Sequence, residues 1–155
     1  MNIKLIWHEP ILLGHFKDIE SVVNSFDYDL PPKSHGIYIF YREYGDKQYA
    51  LYVGQATDLN KRLCQQFKNF ELLNGLRNSK KGSKWLIYAE LSTKSQRTQV
   101  ALNQAERALI RHFIEDKECD LINKHTYANK YDFIIQVSDN PIGLIEDDLA
   151  ISIVK

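Results

Sequence analysis

The sequence predicts an α/β fold built around an antiparallel hairpin, on three observations. Residues 36–54, GIYIFYREYGDKQYALYVG, are two runs rich in Ile, Tyr, Phe and Val on either side of Gly45-Asp46, which is a hairpin signal. Residues 84–91, KWLIYAEL, form a third run of strand-forming residues. Segments 57–69 and 95–116 carry apolar residues at helical spacing. Three neighbouring strands with two helices packed on them make a compact α/β unit. The 155 residues, 44% hydrophobic and 26% charged, suit one soluble domain spanning 1–155.

In chain order, residues 2–7 (NIKLIW) alternate weakly and read as a short strand. Ile19, Val22, Val23 and Phe26 then recur at helical spacing within 17–26, a short amphipathic helix. Pro31-Pro32 ends that segment, because proline cannot continue a helix and biases the preceding residue toward extended backbone. Residues 1–33 therefore read as an N-terminal extension. After the hairpin, Thr57 or Asp58 can cap a helix whose stripe is Leu59, Leu63 and Phe67. Residues 74–84 are rich in Gly, Asn, Ser and Lys and read as a loop. The helix over 95–116 carries the stripe Leu102, Ala105, Leu109, Ile110 and Phe113. Residues 131–137 (YDFIIQV) predict a further strand, and the tail after Pro141 reads as a short acidic helix followed by ISIV.

Net charge is zero, yet its distribution is uneven. Residues 50–112 carry 11 Lys/Arg against 4 Asp/Glu, whereas 1–49 carry 5 against 7 and 113–155 carry 4 against 9. A basic middle between acidic ends suggests one face for a polyanion, although on charge alone a run such as Lys80-Lys81 reads rather as a solvated loop. Cys64 and Cys119 have neither metal-ligand spacing nor a disulfide framework, so two reduced thiols in a cytoplasmic protein are expected. No apolar run approaches the roughly 20 residues of a membrane span, and the start does not read as a signal peptide, so no membrane partner is expected.

The candidate chemistry lies at the open end of the hairpin. A turn centred on Gly45 sets Tyr38 directly opposite Tyr52, with both phenols on one face. From the hairpin alone an aromatic core pair is the simpler reading. Arg62 sits at the edge of the Leu59–Leu63 stripe, with Gln66 one turn on. An arginine there either lays its stem on the surface or offers its planar fork to a phosphate. Glu106 lies within the apolar stripe, four residues after Leu102 and four before Ile110. A carboxylate so placed calls for an ion pair, to Arg62 or another cation, or for a hard divalent metal. Asn123 follows Leu121-Ile122, where an amide needs hydrogen-bond partners. The five histidines show no zinc spacing, and His35 borders the same strand end as Gly36.

Taken together, Gly36-Ile37-Tyr38, Tyr52-Val53-Gly54, Arg62, Glu106 and Asn123 resemble the GIY-YIG nuclease family over residues 34–125. The resemblance implies a small three-stranded antiparallel sheet flanked by helices, with 1–33 and 126–155 as extensions. It implies an endonuclease that hydrolyses DNA phosphodiester bonds with Mg²⁺ or Mn²⁺. Glu106 would hold the metal, Arg62 would bind the scissile phosphate, and Tyr38 would help deprotonate the attacking water. Tyr52 would orient water or phosphate, and Asn123 would brace the site. Gly54, Gln66, Lys61, Lys80, Lys81 and Lys84 are the expected substrate contacts. Sequence specificity is expected from the extensions, a second copy of the chain or a partner protein. One turn after the arginine many members carry His or Tyr, whereas this chain has Gln66, which cannot titrate. A nucleic-acid-binding module with the same fold and weak or absent cleavage is the alternative reading.

Overall fold

The computed structural model describes residues 2–92, 98–115 and 121–122, together with the strand backbones of 133–138 and 148–151. Along the chain run β1 (Asn2–Trp7), β2 (Ile11–Gly14), α1 (Ile19–Ser25), β3 (Gly36–Tyr44) and β4 (Lys47–Ala56). Then come α2 (Leu59–Gln66), α3 (Phe70–Arg77), β5 (Ser83–Leu91), α4 (Thr98–Ile114), β6 (Phe133–Ser138) and β7 (Asp148–Ile151). The sheet order is β4-β3-β5-β1-β6-β7, and β2 shares the β5 edge with β1. Strands β1–β5 pair antiparallel, while β6 joins β1 in parallel.

Two expectations change here. The sheet has seven strands among the described residues, where the resemblance implied three. Within the expected extension, β1 and β2 pair with β5, and Phe16, Val22 and Phe26 are buried in a core. The expected loop over 74–84 shrinks, because α3 runs to Arg77. Asn69 caps α3 by accepting from the Leu72 amide, and Leu72, Leu73 and Leu76 bury one face, which outweighs the loop-like Asn74-Gly75.

Helices cover both faces of the sheet. On one side Ile37, Ile39, Val53, Ile87 and Ala89 pack against Leu102, Ala105 and Leu109 of α4. On the other, Tyr38, Phe40, Leu51, Leu86 and Tyr88 pack with Leu59, Leu63 and Phe67 and with the leucines of α3. Strand β4 is the edge on the α2 side.

The hairpin register decides where the tyrosines go. Tyr44 pairs with Lys47 across Gly45-Asp46, and Gly45 takes the left-handed backbone (φ 62°) that a two-residue turn requires. Extended without interruption, that register would set Tyr38 opposite Val53 and turn Tyr52 to the α4 face. A β-bulge intervenes: Tyr41 pairs with Ala50 and Phe40 with Tyr52, so Leu51 is the extra residue. The parity is restored, and Tyr38 pairs with Gly54 instead of Tyr52. The two phenols share a face as diagonal neighbours, not as a directly opposed pair.

Candidate active site

Tyr38 and Tyr52 stack with ring centroids 6.1 Å apart and planes 20° off parallel. The cross-strand partner of Tyr38 is a glycine for a steric reason: a Cβ on Gly54 would overlap the Tyr38 ring. Gly36 is equally constrained, since its Cβ would run into the Ala89 carbonyl and Leu59. Both glycines of the motif thus serve close packing.

Helix α2 delivers the polar groups. Asp58 caps it by accepting from the Lys61 amide at 3.0 Å, and Leu59 and Leu63 bury its inner face. Gln66, one turn beyond Arg62, is 2% exposed. Its Nε2 donates to the Tyr38 hydroxyl at 2.6 Å and to the Tyr52 hydroxyl at 3.3 Å, while its Oε1 accepts from Asn69 Nδ2 at 3.1 Å. Gln66 was expected to touch substrate; the structure makes it the clasp between the two tyrosines. Arg62 is solvent-exposed and stands beside both hydroxyls.

The two phenols are not equivalent. Tyr38 is fully buried, and burial pushes its pKa up to about 12, with the neighbouring Tyr52 adding to the rise. The Gln66 hydrogen bond and the Arg62 charge pull the other way without winning. Tyr52 is only half-buried. The group expected to take a proton from water is therefore the less accessible one.

Glu106 lies on α4, which packs on the face opposite Tyr38. It is bracketed by the buried Leu102 and Ile110 yet is itself half-buried, so the apolar face opens at that turn. Near the start of the same helix, Gln99 and Asn103 hydrogen-bond Gln55 at the end of β4. Asn123 and Cys119 lie outside the described residues; Cys64 is a free, half-buried thiol. The Ile122 amide donates to the Leu51 carbonyl at 2.7 Å, docking residues 121–122 on the bulge beside Tyr52. Among the described residues no three His, Cys, Asp or Glu side chains cluster as a metal site. A single carboxylate still suits Mg²⁺, which keeps several waters and takes substrate phosphate oxygens as ligands.

A recess of about 340 Å³ opens where α2 and α4 flank the end of β4, and Lys61, Arg62, Gln65, Gln55 and Gln99 line it. Arg62 is the wall it shares with the tyrosines. The expected basic loop is real but differently built. Lys80 and Lys81 are exposed, whereas Lys84 is 3% exposed and spends its ammonium on the carbonyls of Lys80 and Gly82, at 2.9 and 3.1 Å. Arg42, also buried, donates to the Lys81 carbonyl at 3.1 Å and lies 3.9 Å over the Tyr49 ring. Lys84 therefore supports the loop from beneath.

Sequence reasoning missed Arg42, Asn69 and the amides Gln55, Gln99 and Asn103. Only Arg42 left a signal, as a charge at an inward position two residues beyond Phe40 on β3. No family model, curated protein or solved structure matches the chain. No helix among the described residues is long and apolar enough to cross a membrane.

Proposed function

We propose that this chain is a divalent-metal-dependent endonuclease that hydrolyses DNA phosphodiester bonds by a GIY-YIG-type mechanism. The observation that carries the reading is the convergence of Tyr38, Tyr52, Gln66 and Arg62 on one sheet face beside an open recess that Lys61 and Arg62 line with Asp58. Two phenols held by one amide, next to an exposed guanidinium, are more than a core aromatic pair needs.

In this reading Arg62 binds the scissile phosphate and stabilises the charge that builds on its oxygens. The water-facing role passes to Tyr52, because Tyr38 is enclosed. Tyr38 and Gln66 hold the Tyr52 hydroxyl in place. Glu106 is the residue that would hold Mg²⁺ or Mn²⁺, which when bound would supply Lewis-acid polarisation of the phosphate. Asn123 keeps its expected bracing role, and Lys80 and Lys81 hold the DNA backbone.

A second reading, a DNA-binding module with little or no cleavage, draws on one observation: both Tyr38 and Gln66 are poor proton carriers at neutral pH. A plasmid assay separates the two. The endonuclease nicks or linearises supercoiled DNA with Mg²⁺, stops when the metal is chelated, and loses activity in Glu106→Ala. Salt-sensitive binding without cleavage of any DNA form would instead favour the module.

A further inference from the structure

We propose that the recess beside Arg62 is a nucleotide subsite that takes one unpaired base next to the scissile phosphate, so that the substrate is single-stranded, flapped or bulged DNA. The inference rests on the nuclease reading of the tyrosine cluster and adds the class of DNA it acts on. Two kinds of chemistry line the recess. One is that of the cations Lys61 and Arg62 on α2 together with the capping carboxylate Asp58, which accepts from the Lys61 amide; the other is that of the amides Gln55 and Gln99. The volume, about 340 Å³, is at the small end of the roughly 300–1,000 Å³ typical of small-molecule sites.

The amide wall is organised. Gln55 Nε2 donates to Asn103 Oδ1 at 2.6 Å, and Gln99 Nε2 donates to both Gln55 Oε1 and Asn103 Oδ1 at 3.0 Å. With the Gln99 amino group engaged by Gln55 and Asn103, its carbonyl oxygen is what that side chain offers to a ligand. An acceptor of this kind suits the exocyclic amine of adenine, cytosine or guanine, while the cations of α2 suit the attached phosphate.

Concavity decides the substrate class. In a duplex the base edges lie at the floor of a groove and are read by protruding helices or strands. A recess cannot reach them, so the base must leave the stack and enter it. Extrusion from a paired duplex costs a few kcal/mol, and least for a nucleotide that is already unpaired.

The test measures fluorescence anisotropy with the intact chain and metal chelated. The probes are a labelled duplex, the same duplex with one extrahelical adenine, and the corresponding single strand. The unpaired probes should bind about ten-fold tighter than the continuous duplex. In Gln99→Leu and Gln65→Ala, both changes at exposed side chains, that ratio should fall close to one. Equal affinity for the continuous duplex, or a preference that survives in both variants, overturns the subsite. With Mg²⁺ restored, the two proposals can fail separately. A preference for unpaired DNA without cleavage sinks the nuclease reading and leaves the subsite; equal cleavage of continuous and bulged duplex does the reverse.

Discussion

Gln66 shows how a residue that looks like a defect in a motif can be a structural necessity. It supplies the donor for two tyrosine hydroxyls and is itself buried. Gln66→Leu removes that donor while keeping the bulk, and should cost about 1–3 kcal/mol by denaturant unfolding. Gly54→Ala tests the other side of the cluster: the new methyl must displace the Tyr38 ring, at a cost of about 1–3 kcal/mol. The phenol also predicts an alkaline limit. With its folded pKa raised to about 12 from an ordinary value of 10, Tyr38 contributes stability that is complete below pH 10 and lost as pH rises through 12. Two pH units correspond to about 3 kcal/mol. Urea unfolding across that range should show the fall, and Tyr38→Phe should reduce it; burial raises Tyr41 as well, so a share remains. Tyr38, Tyr52 and Arg62, which the fold brings together, were legible because each has an unusual chemistry for its place. Their partners were not, since a glutamine or asparagine on a helix is unremarkable until the fold brings it to a hydroxyl.

At the scale of elements, the hairpin, α2 and α4 could be read because turn residues, caps and apolar periods are local. Strand β2 is four residues long and α3 contains Asn74-Gly75, so neither has a strong local signature. Gly75 has its own reason, as a Cβ there would come within 3.0 Å of Ile122. The bulge at Leu51 was likewise illegible. No residue in 36–54 marks it, and burying Leu51 and Tyr52 on the same side is a tertiary decision. Its consequence is large, because the parity of the tyrosine face depends on it. The α2 cap offers a cleaner test at this scale. Asp58→Ala should lower stability by about 1 kcal/mol through loss of the Lys61 amide contact. Because the same helix carries Arg62, that variant should also bind DNA less well than its stability loss explains.

At the scale of the whole molecule, long-range pairing decides the architecture. Strand β1 pairs with β5 and β6, from distant parts of the chain, and no local period announces such neighbours. The N-terminal strands are tied down further where Glu90 of β5 accepts from Ser34 Oγ and pairs with His8, each at 2.7 Å. The Ser34 hydrogen bond, with His8 assisting, holds the Glu90 carboxyl below its usual range despite partial burial. A depressed carboxylate contributes stability above its unfolded pKa and loses it as pH falls through the folded one. Acid should therefore loosen the β1–β5 seam, and hydrogen exchange in β1 should rise in Glu90→Gln at neutral pH. On the same face of the sheet, toward the β4 edge, lie the two tyrosines and the arginine proposed as a phosphodiesterase site. Its most direct test is single-turnover cleavage of bulged DNA with Mg²⁺ by the intact chain and by Arg62→Ala. Arg62 is exposed, so its removal should leave the melting temperature nearly unchanged. If the cluster is a phosphodiesterase site, the intact chain cleaves and the variant falls by about a hundred-fold or more. Undiminished cleavage by folded Arg62→Ala, or no cleavage by the intact chain, would contradict it.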